Sequence, residues 1–561
     1  MLRFALALLF VSAALAGTPP PTTAPSTTAA PTPPPPCSLG SAYVFSQTTA
    51  RTIAVNADTV FDGDVLSTPS IVHSSASPAV TVANAGVYRI AYTVSGSEPN
   101  QFALFANGVP LLGTVYGSGA GSQQNRGSAI VVLPSSVTVV TLRNYASPAA
   151  VTLATPVGGA TANVMVSLVV EQVGSFDPYG YVYAEGPFSL ALGADVRLSV
   201  TGVLSGGPSG VTHPVLTELR VHESAVYRVE FSASPTQPSQ FAVAVNGVVA
   251  PSTRYGSDAG TQQNSGQALL VLAAGDTLTL RNSGSTSSLS FASSVGGTQP
   301  NVAASLLVVR AEPQSAYVYA ASSAPAPVLI GADVAFTHTG PLGVGFSHAP
   351  ASTQLHVTAA GEYRVTFSVS ANEANQFALA VNGAVVADTL YGSGATTQQN
   401  TGQALVTLAA GDALTLRNVG STTATFLASP GGVLQAVVAS LLVEATRCYN
   451  ATSEDAFSPT PAPSYYSSSP YYYAPYYGYY SYLPSPYYYD EDHDNDGDET
   501  VSFVIVAVFA ALLLLVIVLC CCSAFMMRRR RQRDDPRYAG AEAPPVAPRV
   551  ARYARVANLR M

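Results

Sequence analysis

The sequence of 561 residues contains no tryptophan and no lysine, so all 24 basic residues are arginine. That bias reads as a coding preference and excludes no mechanism. Other absences exclude more. There is no H-E-x-x-H, no G-x-S-x-G and no P-loop, and the histidines at 73, 213, 222, 338, 348, 356 and 493 keep no common place. Catalysis needs a convergent set of nucleophile, base or metal ligands. The chain is therefore expected to be no enzyme, with no catalytic residues, no metal and no cofactor. A D-x-D-x-D-G run at 492–497 resembles the opening of a calcium loop, but its twelfth position is Phe503 rather than a carboxylate. Cysteine is scarce as well, with five in all.

What is present is repetition. QFALFANG, QFAVAVNG and QFALAVNG begin at Gln101, Gln240 and Gln376, at steps of 139 and 136 residues. Tyr88-Arg89, Tyr227-Arg228 and Tyr363-Arg364 keep the same step, as do YGS at Tyr116, Tyr255 and Tyr391, and the LRN runs around Arg143, Arg281 and Arg417 follow at 138 and 136. QQN again keeps 139 and 136: Gln123-Gln124-Asn125, Gln262-Gln263-Asn264 and Gln398-Gln399-Asn400. Such a period is the length of a small domain, not of a solenoid unit. Three domains are predicted, at 41–173, 179–311 and 315–446.

Each repeat reads as short strands. In QFALAVNG, Phe377, Leu379 and Val381 alternate with Gln376, Ala378 and Ala380. Period two marks a strand with one apolar face. Asn382-Gly383 then suits a tight hairpin turn. EYRVTFSVS sets Tyr363, Val365, Phe367 and Val369 against Arg364, Thr366 and Ser368. No helical period persists within the repeats, so the predicted fold is an all-β sandwich or jelly roll.

The run YRVTFSVS, FALAVNG, GQALVTLAAGDALTLRN and VVASLLVE resembles the C-terminal domain of bacterial spore-coat collagen-like glycoproteins. More broadly, it is similar to the tumour-necrosis-factor-like and complement-type jelly-roll superfamily. The first repeat departs most, with LPSSVTVVTLRN where the others carry LAAGD. The resemblance implies trimers of jelly-roll domains, commonly on a collagen stalk. This chain has no G-X-Y repeat. It has three domains in a row instead, which implies a single-chain pseudo-trimer; three beads on a string is the competing arrangement. Linkers 174–178 and 312–314 reach only about 10–17 Å. The resemblance also implies that both termini of each domain lie near the trimer base, so that such linkers close a ring.

The flanks point outside the cell. Residues 1–16 read as a signal peptide, with Ala14-Leu15-Ala16 before the cut. Residues 17–40 are a Pro/Thr-rich linker, 447–500 a Pro/Tyr-rich and acidic stalk, and 501–527 an apolar run long enough for one transmembrane helix. Residues 528–561 form a basic tail with ten arginines against three acids, expected in the cytoplasm. A type I single-pass glycoprotein of a cell surface or virion envelope is expected. Cys37 and Cys448 flank the repeats, and in an oxidising compartment two lone cysteines point to a disulfide; free or intermolecular thiols are the alternative. If the ring closes, Cys37 and Cys448 meet where its ends meet. Asn450 begins a glycosylation sequon. Cys520, Cys521 and Cys522 suit palmitoylation, or simply end an apolar helix.

The recurring Tyr116, Tyr255 and Tyr391, with the three QQN triplets, are the candidate ligand-binding residues. Planar amides beside a tyrosine suit a sugar. The other reading is that they satisfy turn backbone or bridge neighbouring domains around an axis. The expected function is a recognition or adhesion module for a glycan or protein on another surface, with no nucleic-acid partner. The alternative is a structural coat protein with a cross-linkable tyrosine-rich stalk.

Overall fold

A computed structural model describes residues 39–446, apart from 48, 176, 323–325 and 421. All of these belong to one compact unit. The described secondary structure is β-strand with a single 3-10 turn at Pro251–Thr253. The strands fall into three sets, Ser41–Val173, Tyr179–Arg310 and Ser315–Ala445, each forming two facing antiparallel sheets of the jelly-roll type.

In the first set the inner sheet runs Gln124–Leu133, Gly86–Ser95, Val166–Val173, Ser41–Ser46, Gly63–Leu66 in spatial order. The outer sheet runs Ile71–His73, Val80–Val82, Thr138–Asn144, Asn100–Ala106, Val109–Pro110. The other two sets repeat these inner- and outer-sheet pairings. The hairpin after each QFA strand turns on Asn107-Gly108, Asn246-Gly247 or Asn382-Gly383, all with positive φ. Asparagine and glycine are the residues that tolerate that backbone.

The inner sheet is buried on both faces. Tyr363, Val365, Phe367 and Val369 point into the core of their own repeat. Arg364, Thr366 and Ser368, on the opposite face of the same strand, are also at most 5% exposed. Period-two alternation ordinarily means one wet face. Here the polar face meets the neighbouring repeats instead.

The fold class is corrected in one respect. No helix among the described residues is long and apolar enough to cross a membrane, so the expected transmembrane helix is unsupported. Apolar residues there are distributed over strands of at most ten residues, too short for a helical span. The segment 501–527 lies outside the described residues. The all-β part of the fold class stands.

Candidate functional site at the shared axis

The inner sheets bring the recurring tyrosines together across repeats. Tyr116 Oη lies 3.0 Å from Tyr181 Oη, Tyr255 from Tyr317, and Tyr391 from Tyr43, also at 3.0 Å. The pairs therefore run from repeat 1 to 2, 2 to 3 and 3 to 1, closing a cycle. Backbone carbonyls of Ser128, Gln267 and Gln403 accept from the first tyrosine of each pair. Burial pushes the Tyr116, Tyr255 and Tyr391 hydroxyls up to about 12. These phenols stay protonated at ordinary pH and act as hydrogen-bonding groups.

Glutamines build two further cyclic layers. Gln124 Oε1 accepts from the Thr401 amide at 2.7 Å, Gln263 from Arg126 at 2.6 Å, and Gln399 from Ser265 at 2.8 Å. Gln101 Nε2 donates to the Gln299 carbonyl at 2.8 Å, Gln240 to Leu434 at 2.8 Å, and Gln376 to Val157 at 3.0 Å. The first residue of each QFA phrase is thus a clasp onto the next repeat. The neighbouring YGS glycine lets that loop approach. A Cβ on Gly117, Gly256 or Gly392 would stand within about 2 Å of the carbonyl oxygen of Val295, Pro430 or Val157.

The rest of each triplet serves its own repeat. Gln123, Gln262 and Gln398 accept from Ser118, Ser257 and Ser393. Asn125, Asn264 and Asn400 donate to the carbonyls of Tyr116, Tyr255 and Tyr391. The sugar-contact reading does not fit this placement. All twelve residues are at most 6% exposed, and each has hydrogen-bond partners within the protein.

A ring of charge lies on the same axis. Glu230 bridges Arg89 and Arg228, Glu444 bridges Arg228 and Arg364, and Glu171 bridges Arg364 and Arg89. Three guanidiniums and three carboxylates alternate around a closed hexagon, with each repeat giving one of each sign. Isolated buried charges are costly, and pairing with hydrogen bonds offsets that cost. Burial alone would raise the Glu230 carboxyl. Arg228, Arg89 and Arg126 outweigh it and hold the group well below the usual carboxylate range. Burial likewise opposes the charge on Arg228, yet Glu230, Glu444 and Glu171 raise its affinity for the proton. A cavity of about 30 Å³ opens beside the ring, lined also by Glu312.

Residues 316–438 match the BclA C-terminal domain family. The third repeat is a BclA-like jelly-roll domain. No curated protein matches the chain. Two of the solved structures to which the chain is similar align over most of their own length. One is a chain from a triple jelly roll fold and turret assembly in an archaeal virus, 11% identical, covering 73% of this chain and 92% of that one, with TM-score 0.14. The other is a chain of Sulfolobus turreted icosahedral virus, 9% identical, covering 72% and 92%, also with TM-score 0.14.

The BclA-like repeat and its two companions carry their other repeated arginines outward. Arg143, Arg281 and Arg417 each form a two-pronged pair with Asp58, Asp195 or Asp333 of the same repeat. Among the described residues no cluster of histidine, cysteine and carboxylate is arranged to hold a metal. Cys37, Cys448, Asn450, Cys520, Cys521 and Cys522 lie outside the described residues. The axial ring is not among the features expected from the sequence. Its signal was the polar face of the Tyr-Arg strand, which holds an arginine at the same place in all three repeats.

Proposed function

We propose that the chain is a surface-displayed recognition module, a three-lobed head meeting a glycan or protein on another surface through its outer faces. One observation carries this reading: the tyrosine and glutamine contacts recur three times in cyclic order. Three similar outer sheets are then held at fixed angles by one polypeptide. Fixed multiple faces favour a partner presented at high density, because the second and third contacts are intramolecular. The axial polar groups are engaged within the protein, so the reading assigns recognition to the outer sheets and loops and no chemistry to the axis. A signal-like N-terminus supports a location outside the cell or on a virion.

The test is binding of the purified chain to glycan arrays and cell panels at high and low ligand density. Retention should rise at least about tenfold from sparse to dense surfaces. Failure to bind any surface, together with self-assembly into sheets, would favour the coat-protein alternative.

A further inference from the structure

The three seams between repeats are not alike. In the seam between repeats 3 and 1, Gln403 Nε2 donates to the Ala91 carbonyl at 3.1 Å and Ser167 Oγ at 3.3 Å. Between repeats 2 and 3, Gln267 Nε2 donates to the Thr366 carbonyl at 3.1 Å and Ser440 Oγ at 3.5 Å. The equivalent residue in repeat 1 is Ser128, which has no amide to donate to the facing backbone and instead turns its hydroxyl toward Glu230. Strand register fixes the equivalence, since Ser128, Gln267 and Gln403 face Ala91, Glu230 and Thr366 within their own sheets.

Two further exchanges accompany the missing amide. Arg126 stands where the other repeats have Ser265 and Thr401. Glu230 stands where they have Ala91 and Thr366. Arg126 Nη2 lies 3.8 Å from Glu230 Oε2 across the seam between repeats 1 and 2. A cavity of about 10 Å³ beside the pair is lined by Arg126, Ser128, Glu230 and Ser305, room for about one water. Repeat 2 has also given up a carboxylate elsewhere. Val309 faces Arg228 where Glu171 and Glu444 face Arg89 and Arg364.

We propose that Arg126 and Glu230 form a pairing key that fixes the cyclic order of the repeats. A ring of three similar wedges can close as 1-2-3 or as 1-3-2. In the second order Arg126 meets Thr366 and loses its carboxylate while remaining buried, and Glu230 meets Thr401 in place of a guanidinium. An unpaired buried charge is among the larger penalties available to a protein interior. The same mismatch disfavours rings that take repeat 1 twice, from two copies of the chain, because Arg126 of one copy then meets Ala91 of the other.

Two experiments on the full chain test the key. Thr401→Arg places a guanidinium in the seam between repeats 3 and 1, opposite Ala91. It should lower the folded-to-unfolded ratio about a hundredfold or more, read by urea denaturation. Adding Ala91→Glu should recover at least about tenfold of that, whereas adding Thr366→Glu, in a different seam, should recover none. Equal recovery by the two carboxylates overturns the proposal. The second experiment makes all seams alike with Arg126→Thr, Ser128→Gln, Glu230→Thr and Val309→Glu, which keeps three carboxylates for three axial arginines. After refolding at two concentrations, light scattering should find one monomeric species for the parent and mixed oligomers for the variant. A variant that refolds to a single monomeric species whose chemical cross-links join the same seams as in the parent overturns the proposal.

Discussion

Two sets of three arginines can be compared within this chain. Arg143, Arg281 and Arg417 lie on the outer sheets, about a fifth to a quarter exposed, and each grips an aspartate of its own repeat. Arg89, Arg228 and Arg364 lie on the axis, at most 5% exposed, and each is shared between repeats. The outer partners sit at equivalent positions in all three copies. The axial partners do not, because repeat 2 carries its carboxylate at Glu230 rather than on the last strand. A contact made within one repeat must be complete in every copy. A contact made at a common axis need only balance in sum. That freedom is what allows one seam to differ from the other two.

The largest effect should come from breaking the axial ring. Glu230→Gln keeps the shape and leaves Arg89, Arg228 and Arg126 facing a neutral amide. Removing one partner of a buried pair costs about 3–5 kcal/mol, and urea denaturation at neutral pH should show a loss of that order. The contribution depends on pH with a definite sign. The folded carboxyl is held low, so its stabilisation is complete above the ordinary carboxylate pKa and is lost as pH falls toward the folded value. The difference between parent and variant should therefore narrow in acid.

Backbone contacts divide in the same way. A Cβ on Gly256 would stand 1.8 Å from the Pro430 carbonyl oxygen of the neighbouring repeat. Gly256→Ala must spread that seam, at a cost of about 3 kcal/mol. Gly247 has φ +79 in an outer hairpin with open space around it. Gly247→Ala meets only the left-handed backbone penalty of about 1–2 kcal/mol. Equal thermal shifts for the two variants would remove the distinction between seam and shell.

The strands, the hairpin turns and the number of repeats were legible because each is a local pattern. Alternation places Tyr363, Val365 and Phe367 on one face, and Asn382-Gly383 fixes the turn that follows. The axis was less legible. Arg364 and Thr366 look like a solvent face, since nothing local distinguishes a face covered by water from one covered by a neighbour. Glu230 and Glu444 sit on different strands more than 200 residues apart, and only the closed ring joins them to one arginine. In the sequence Gln376 is one polar position in a core strand; its role appears only when Val157 of repeat 1 arrives beside it.

A gentler test uses Glu312, on the linker from repeat 2 to repeat 3. Burial, with Glu444 and Glu171 nearby, raises its carboxyl to about 7. A raised acid binds its proton more tightly in the folded state. Stability therefore falls as pH rises from about 4.5 to about 7 and is level beyond. Discounted for partial exposure, the effect is about 2 kcal/mol. Glu312→Gln should remove that slope and make the chain the more stable of the two at pH 8. An unchanged slope in urea titrations from pH 4 to 8 would detach this linker from the charge balance of the axis.

The smallest effect should come from the shell. Asp195→Asn weakens the fork with Arg281, where solvent screens the pair and a loss of at most about 1 kcal/mol is expected. The informative quantity is how such losses combine. Asp58, Asp195 and Asp333 belong to separate repeats and share no partner, so their three substitutions to asparagine should add within about 0.5 kcal/mol. Glu230 and Glu444 share Arg228. Their double substitution to glutamine should depart from the sum by about 0.5–3 kcal/mol. Additivity at the axis as well as in the shell would mean that the hexagon is three independent pairs rather than one ring.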